Sequence, residues 1–226
     1  MSQTLQALLD KIKKRHDAGE YPGDTPSPPP PDPAEAEARL ESAWAAMGIP
    51  PIHYGSTWDN WIANTPEKKR AFDTVRGRAW KTNLFLTGKN GTGKSHLAAC
   101  LAKDGATYHS LADIAGEVKA DWGEERAIVR RYGKSRLLIL DEICPRDEPT
   151  PFERDLLFEI VDARWGNMLP TMLITNQTVT EFVRIFGMGI ADRLRAEAVI
   201  FDWESHRKGL CLPRGGPRGD DGGEGQ

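Results

Sequence analysis

The sequence has few of the features that define several large protein classes. Its 226 residues include 3 cysteines, Cys100, Cys144 and Cys211. They lie far apart, with no CxxC pair and no clustered histidines, which argues against a disulfide framework or a zinc site. No apolar run approaches the roughly 18 residues that cross a bilayer. Residues 1–20 lack the apolar block of a signal peptide. We therefore expect a reduced, cytoplasmic protein with no membrane partner.

Neither basic nor acidic residues are in large excess. The chain has 30 Lys and Arg against 33 Asp and Glu, a formal net charge of -3, so nucleic-acid contact has to come from a local patch. Hydrophobic residues make up 39% and charged residues 28%, which is ordinary for a globular protein with a sizeable core. The length favours one domain with appendages.

The flanking segments differ in composition from the centre of the chain. Residues 1–20 predict an amphipathic helix, whose apolar face either docks on a partner or packs on its own domain. Residues 21–33 are rich in proline and predict a semi-rigid linker. Residues 34–82 predict a helical segment leading into a core at 83–207. Residues 208–226 are rich in glycine and predict a disordered tail.

Within the segment before the core, a helix is expected from Pro33 to about Met47, because proline suits the first turn of a helix. Aromatic residues then follow at intervals. They are Trp58, Trp61, Phe72 and Trp80. We expect them to pack against the core and to cover a sheet edge.

Four short apolar runs alternate with helical stretches over the core. They read NLFLT, RLLILD, TMLIT and AVIFDW. Runs that are apolar on both faces are typical of a parallel sheet covered by helices. The predicted fold class is therefore α/β.

A phosphate-binding loop follows the first of these runs. Gly88 to Ser95, GKNGTGKS, matches G-x-x-x-x-G-K-[ST] at every fixed position. Such glycines let backbone amides point at phosphate oxygens, and the next helix adds its positive end. Lys94 is expected to reach the β- and γ-phosphates, and Ser95 to ligate Mg²⁺. The full set of expected ATP contacts is Gly88, Asn90, Gly91, Thr92, Gly93, Lys94, Ser95 and His96.

Polar residues end the second and third apolar runs. Asp141 and Glu142 follow RLLIL, and Asn176 follows TMLIT. Asp141 is expected to hold Mg²⁺, and Glu142 to orient and deprotonate the attacking water. Asn176 either contacts the γ-phosphate or the water, or simply forms a turn.

Two arginines precede the last run, in GIADRLRAEAVIFDW. If copies of the chain stack in a ring or spiral, Arg193 or Arg195 can reach the γ-phosphate bound by a neighbour. The competing interpretation is a surface arginine favoured by a helix carboxyl terminus.

A basic segment, KADWGEERAIVRRYGKSR, lies between the first two apolar runs. Arg126 and Arg130 share one helical face, with Arg131 close by. Cations can follow the phosphates of single-stranded DNA while an aromatic residue, Trp122 or Tyr132, stacks on a base. Acidic residues lie in the same run, so a solvated mixed-charge face is the alternative.

Taken in order, these motifs resemble those of AAA+ ATPases. The segments GKNGTGKSHLAACLA, RLLILDEI, LITN and ADRLR…VIFDWESHR are similar to those of DnaC-type replicative helicase loaders of bacteria and phages, in the DnaC/IstB-like family. The resemblance covers roughly residues 49–207. It implies a P-loop AAA+ core with a short helical N-terminal extension and no C-terminal lid domain. It also implies ATP and Mg²⁺ as cofactors, with slow hydrolysis in the absence of partner or DNA.

The resemblance further assigns roles and partners. Asn176 becomes a γ-phosphate sensor and Arg193 an arginine finger that acts on a neighbouring subunit, while Arg195 fits less regularly. The implied partners are a replicative DNA helicase, single-stranded DNA and further copies of the chain. Alternatives are an IstB-like transposition helper, a small-molecule kinase, and an adaptor that binds nucleotide without hydrolysing it. The Asp141–Glu142 pair argues against the last two.

Overall fold

The structure is a computed structural model that describes residues 32–143 and 148–205. In this part of the chain the helices are α1 (Pro33–Ala46), α2 (Pro66–Arg78), α3 (Lys94–Lys103), α4 (Leu111–Ala120), α5 (Glu125–Gly133), α6 (Pro151–Gly166), α7 (Val179–Phe186) and α8 (Met188–Leu194). The strands are β1 (Leu84–Gly88), β2 (Thr107–Ser110), β3 (Leu138–Asp141), β4 (Thr171–Thr175) and β5 (Glu197–Phe201).

The strands form one parallel sheet in the order β2-β3-β4-β1-β5. β4 therefore lies between β1 and β3, with Leu84 of β1 opposite Met172 of β4. Because every pair is parallel, the carboxyl ends of all strands meet at one edge. That edge carries the phosphate-binding loop and the residues that follow β3 and β4.

Alternating side chains on the central strands enter two hydrophobic clusters. Phe85 and Leu173 belong to one cluster, which α4 to α8 cover. Leu84, Leu86 and Met172 belong to the other, which α2 and α3 cover. Successive strand residues point to opposite faces of a sheet, so strands buried on both faces give the continuous apolar runs seen in the sequence.

Several helices begin at a hydroxyl residue followed three positions later by a carboxylate. Ser110 with Asp113, Thr150 with Glu153, and Thr178 with Glu181 form reciprocal capping boxes at the starts of α4, α6 and α7. Each pair satisfies two backbone amides that a helix start leaves without partners. The local sequence therefore determines the residues at which these helices begin.

The chain divides into two units, residues up to Leu40 and residues from Glu41 onward. In the described part of the first unit, residues 32–40, every residue is exposed or partly exposed. In the second unit, Trp44 and Met47 pack against the cluster that α2 and α3 cover. α1 ends at Ala46, close to the predicted end at Met47. The predictions for residues 1–20, for most of 21–33 and for 208–226 lie outside the described residues.

The fold confirms the predicted parallel α/β core and adds β2, which the sequence pattern did not indicate. In TYHS only Tyr108 is buried, because β2 is an edge strand that pairs with β3 alone. A short polar edge strand lacks the apolar run on which the prediction depended. Among the described residues, no helix is long and apolar enough to span a membrane.

Candidate nucleotide-binding site

The phosphate-binding loop has a backbone that only glycine accommodates at two positions. Gly88 and Gly93 have φ values of 140° and 99°. A Cβ atom on Gly88 would lie 2.2 Å from the Phe201 carbonyl oxygen, and one on Gly93 would lie 2.4 Å from Trp61 Cζ3. Both the positive φ and the lack of space therefore exclude side chains. The loop is packed between β5 and the segment before α2.

Lys94 opens α3 and is 6% exposed. Its ammonium donates to the carbonyl oxygens of Gly88, at 2.7 Å, and Lys89, at 2.8 Å. A buried ammonium is retained only where such partners hold it. The positive charge thus lies in the concavity of the loop, where the phosphate groups of a nucleotide are expected.

Asp141 and Glu142 occupy the end of β3. Asp141 is 5% exposed, and its Oδ1 accepts the Glu142 amide at 2.7 Å. Glu142 is exposed and has a φ of 50°, which is uncommon outside glycine. A strained backbone at such a position costs about 1–3 kcal/mol. The hydrogen bond from the Glu142 amide to Asp141 helps to hold this backbone conformation.

These residues surround one cavity of about 620 Å³. Its floor is the phosphate-binding loop, and its wall is the end of β3 and β4 together with residues 52–62. The predicted residues that line it are Asn90, Gly91, Gly93, Lys94, Ser95, His96, Asp141, Glu142 and Asn176. Gly88 and Thr92 belong to the loop without lining the cavity. Thr92 is fully buried, and its hydroxyl donates to the Lys89 carbonyl at 2.8 Å.

Asn176 follows β4, the strand between β1 and β3, and is exposed at the cavity. The order of the strands therefore sets Asn176 between the phosphate-binding loop and the two carboxylates. A side-chain amide in this position can reach both a phosphate oxygen and a nearby water. The role of Asn176 as a γ-phosphate sensor stays a prediction.

The residues present fit a magnesium ion. Ser95 and Asp141 supply a hydroxyl and a carboxylate at the same cavity, and oxygen atoms are the ligands that Mg²⁺ prefers. Within residues 32–143 and 148–205 no group of three or more His, Cys, Asp or Glu could hold a metal. Few protein ligands are typical of Mg²⁺ bound together with phosphates and waters.

Three aromatic contacts around the loop were not predicted as part of the site. Trp203 Nε1 donates to the Thr92 carbonyl at 2.9 Å, and the Trp203 ring lies 6.5 Å from that of Trp61. The Trp61 ring in turn lies 5.7 Å from that of His96, whose Nε2 is 3.0 Å from the Thr57 carbonyl. Trp61 from the segment before the core and Trp203 from the end of the core therefore flank the loop. Trp61 is only partly buried.

Tyr108 of β2 is a further residue that sequence reasoning missed. It is 3% exposed, and its hydroxyl donates to Asp141 Oδ2 at 2.5 Å. A tyrosine flanked by polar residues gave no pattern that pointed to the site.

Arg193 and Arg195 lie outside the cavity. Arg193, near the end of α8, donates to Asp162 Oδ1 at 2.5 Å, and its guanidinium lies 4.5 Å from the centre of the Phe158 ring. Arg195 is exposed, has a φ of 40° and caps the carboxyl end of α8. Neither arginine therefore reaches the nucleotide site of its own chain in this structure.

The basic segment forms the end of α4, a short turn and α5. Arg126 and Arg130 are exposed on α5, with no ion pair to any described residue. Arg131 instead pairs with Glu117 of α4. Trp122 is 62% exposed, and its ring lies 5.3 Å from that of Phe152. The structure thus distinguishes Arg126 and Arg130, which form no ion pair with a described residue, from Arg131, which is engaged with Glu117.

Comparisons with known proteins agree with this fold and with nucleotide binding. The IstB-like ATP binding protein family matches residues 61–208. The replicative helicase loader DnaC of Escherichia coli (strain K12) is 26% identical over 187 residues, which are 75% of this chain and 76% of DnaC.

Solved structures show the same fold at lower identity. The crystal structure of the DnaC helicase loader matches with a TM-score of 0.57 and 19% identity, covering 67% of this chain and 99% of that one. A structure of the replication initiator DnaA bound to AMPPCP and single-stranded DNA matches with a TM-score of 0.54 and 16% identity, covering 69% and 51%. The resemblance proposed from the motifs is confirmed: the chain belongs to the IstB-like ATP binding protein family and is similar to the DnaC helicase loader.

Proposed function

We propose that the protein is an ATP-dependent helicase loader, which binds and hydrolyses ATP, self-associates, contacts single-stranded DNA and delivers a replicative DNA helicase. The proposal rests on one observation, that a single cavity is lined by residues from the phosphate-binding loop and from the ends of β3 and β4. These residues are Lys94, Ser95, Asp141, Glu142 and Asn176. An acidic pair beside a phosphate-binding loop is what hydrolysis requires and what simple binding does not. The similarity to the replicative helicase loader DnaC supports helicase loading as the process that this ATPase would drive.

In the proposed reaction, Lys94 and the loop amides hold the phosphates, while Ser95 and Asp141 hold Mg²⁺. The ion, when bound, neutralises charge that develops on the phosphate oxygens. Glu142 orients a water toward the γ-phosphorus and accepts its proton. A new bond forms between that water oxygen and phosphorus as the bond to the β–γ bridging oxygen breaks, which gives ADP and phosphate.

The first test removes the proposed base. Glu142→Gln should lower ATP hydrolysis by about 100-fold or more, because general-base catalysis contributes on that order. Binding of a fluorescent ATP analogue should stay within a few-fold of wild type. Glu148→Gln is the matched control: Glu148 is an exposed carboxylate that follows Glu142 by six residues in the sequence, and the variant should hydrolyse ATP normally. A Glu142→Gln protein with wild-type hydrolysis would overturn the assignment.

The role of Arg193 in a neighbouring subunit needs a test of its own. In this structure Asp162 and Phe158 hold its guanidinium, so reaching another chain requires that it exchange Asp162 for a phosphate. Arg193→Ala should hydrolyse ATP poorly, and so should Lys94→Ala. When the two variants are mixed, activity should return in part, because the intact site of one then meets the intact arginine of the other. No recovery on mixing would refute a role in trans.

Contact with single-stranded DNA is proposed for the exposed face of Trp122, Arg126 and Arg130. Trp122→Ala should weaken binding to a fluorescent oligonucleotide by about tenfold, since stacking of a base on an aromatic ring contributes 1–3 kcal/mol. Trp165→Ala is the matched control, because Trp165 is exposed to a similar extent on α6, at 60% against 62%. Equal affinities for both variants would refute the proposed surface.

Identifying the protein that binds this chain would distinguish the leading proposal from its alternative. The match to a family described as IstB-like favours one second candidate, a helper ATPase in transposition. Copurification from the native cell in the presence of ATP tests both. Recovery of a replicative helicase, with loss of that recovery on deletion of residues 1–20, would support the loader. Recovery of a transposase would support the alternative and leave the ATPase assignment intact.

A further inference from the structure

Tyr108 reaches the nucleotide site from a strand that does not line the cavity. It belongs to β2 and is 3% exposed. Its hydroxyl donates to Asp141 Oδ2, at the end of β3, across 2.5 Å. A buried phenol thus holds one oxygen of a carboxylate that lines the cavity.

The direction of this hydrogen bond follows from the two groups. An ionised carboxylate has no proton to give and only accepts, so the Tyr108 hydroxyl is the donor.

We propose that Tyr108 is a positioning residue that holds Asp141 in the arrangement needed to bind Mg²⁺. Asp141 is fixed on both sides, since Oδ1 accepts the Glu142 amide and Oδ2 accepts the Tyr108 hydroxyl. Each carboxylate oxygen has a further lone pair, which remains available to a cation.

This inference rests on the proposed function, because it deepens the role of the same site. Residues that orient metal ligands without touching the metal change metal affinity by about 10- to 100-fold when they are altered. A tyrosine that only filled space in the core would instead change the stability of the fold. Tyr108→Phe separates the two roles, since phenylalanine keeps the ring and removes the hydroxyl.

The experiment measures binding of mant-ADP, a fluorescent ADP, in EDTA and over a range of Mg²⁺ concentrations. For Tyr108→Phe we expect affinity in EDTA within twofold of wild type, and a Mg²⁺ concentration for half-maximal enhancement that is about tenfold higher. Tyr132→Phe is the matched control. Tyr132 is equally buried at 3% exposure, and its hydroxyl donates to Glu117 at 2.9 Å, away from the cavity. It should leave the Mg²⁺ dependence unchanged.

Two outcomes would overturn the inference. One is an unchanged Mg²⁺ dependence in Tyr108→Phe, and the other is an equal loss of affinity with and without Mg²⁺. A double-mutant cycle covers the case in which Tyr108→Phe is poorly folded. In an Asp141→Asn background, loss of the Tyr108 hydroxyl should change the Mg²⁺ dependence by less than twofold, because coupled residues are not additive. A wild-type protein that binds mant-ADP no better with Mg²⁺ than with EDTA would overturn the proposed function itself.

Discussion

The two ends of the parallel sheet differ in how their buried cations are held. At the carboxyl end, Lys94 donates to two carbonyls of the phosphate-binding loop and lines the cavity. At the amino end, Arg164 of α6 is 1% exposed and donates to the Thr171 hydroxyl and to the carbonyls of Tyr132, Ser135 and Pro170. The first cation faces a space that a ligand can enter, whereas the second is enclosed by the protein.

Side-chain amides reinforce the difference. Asn83, just before β1, accepts the Thr171 amide at 2.8 Å and donates to the Leu194 carbonyl. It thereby joins the start of β4 to the end of α8. At the opposite end, the loop has left-handed glycines and Glu142 has a strained backbone. Side-chain hydrogen bonds therefore close the amino end of the sheet, whereas the carboxyl end opens onto the cavity. Positive φ at non-glycine residues occurs at both ends, at Glu142 and at Met168 and Arg195.

The largest effect on stability should come from the amino end. Burial lowers the pKa of Arg164 to about 10, which leaves it charged at neutral pH. Arg164→Met would leave several buried acceptors without a donor, so we expect a loss of roughly 3 kcal/mol or more in the free energy of unfolding. Urea denaturation measures it, with the exposed Arg154→Met of the same helix as control. If the two ends are independent, mant-ADP affinity of the folded variant stays within twofold of wild type.

The corresponding substitution at the carboxyl end of the sheet should affect nucleotide binding. Lys94→Ala should weaken mant-ATP binding by at least tenfold, because it removes the positive charge from the concavity of the loop. Lys89→Ala is the control from the same loop, since Lys89 is exposed and forms an ion pair with Asp202 at 3.5 Å. An equal loss in both variants would show that the loop acts through general charge rather than through the buried ammonium.

The carboxyl end of the sheet was largely predictable, because its motifs are local in sequence. The glycine spacing of the loop and the runs that end at Asp141 and Asn176 each lie on one short segment. A parallel sheet then brings such segments together without further information. Strand order was not predictable, and it alone sets Asn176 between the loop and the carboxylates.

Contacts between distant segments could not be predicted. Trp203 and Thr92 are 111 residues apart, and Tyr108 and Asp141 are 33 apart. Nothing in the surroundings of either aromatic residue distinguishes a role at the site from packing. Arg164 was missed for the same reason, since an arginine in an amphipathic helix is usually exposed.

A smaller effect on nucleotide binding is expected from Trp203. Its indole N–H holds the Thr92 carbonyl, so Trp203→Phe should weaken mant-ADP binding by about threefold to tenfold, the value of one hydrogen bond. Trp58→Phe is the matched control, since Trp58 Nε1 donates to Asp104 Oδ2 at the same distance of 2.9 Å, at the far end of α3. A loss of mant-ADP affinity in both variants would mean that tryptophan hydrogen bonds in general, and not the bond from Trp203 to Thr92 in particular, support nucleotide binding.

The smallest effect is a pH dependence of stability. It comes from His109, which lies on the face of the sheet opposite Tyr108. His109 packs on Tyr132 with ring centres 5.1 Å apart, and burial lowers its pKa from the usual 6.5. Asp113 and Glu117 oppose this shift, and Arg131 reinforces it. The unfolded chain therefore takes up the proton more readily than the folded protein. The contribution of His109 to stability is present in full above about pH 6.5 and is lost as the pH falls through the lower pKa of the folded state.

Thermal unfolding between pH 7.5 and pH 5 tests this prediction. The Tm of wild type should fall more steeply over that range than the Tm of His109→Asn, which has no titrating ring. Because neighbouring strand residues point to opposite faces, mant-ADP affinity at 20 °C should show the same pH dependence in both proteins. Parallel Tm curves would refute the role of His109. A difference in the pH dependence of affinity would show that the two faces of β2 are coupled, and that stability and nucleotide binding are not separated along this strand.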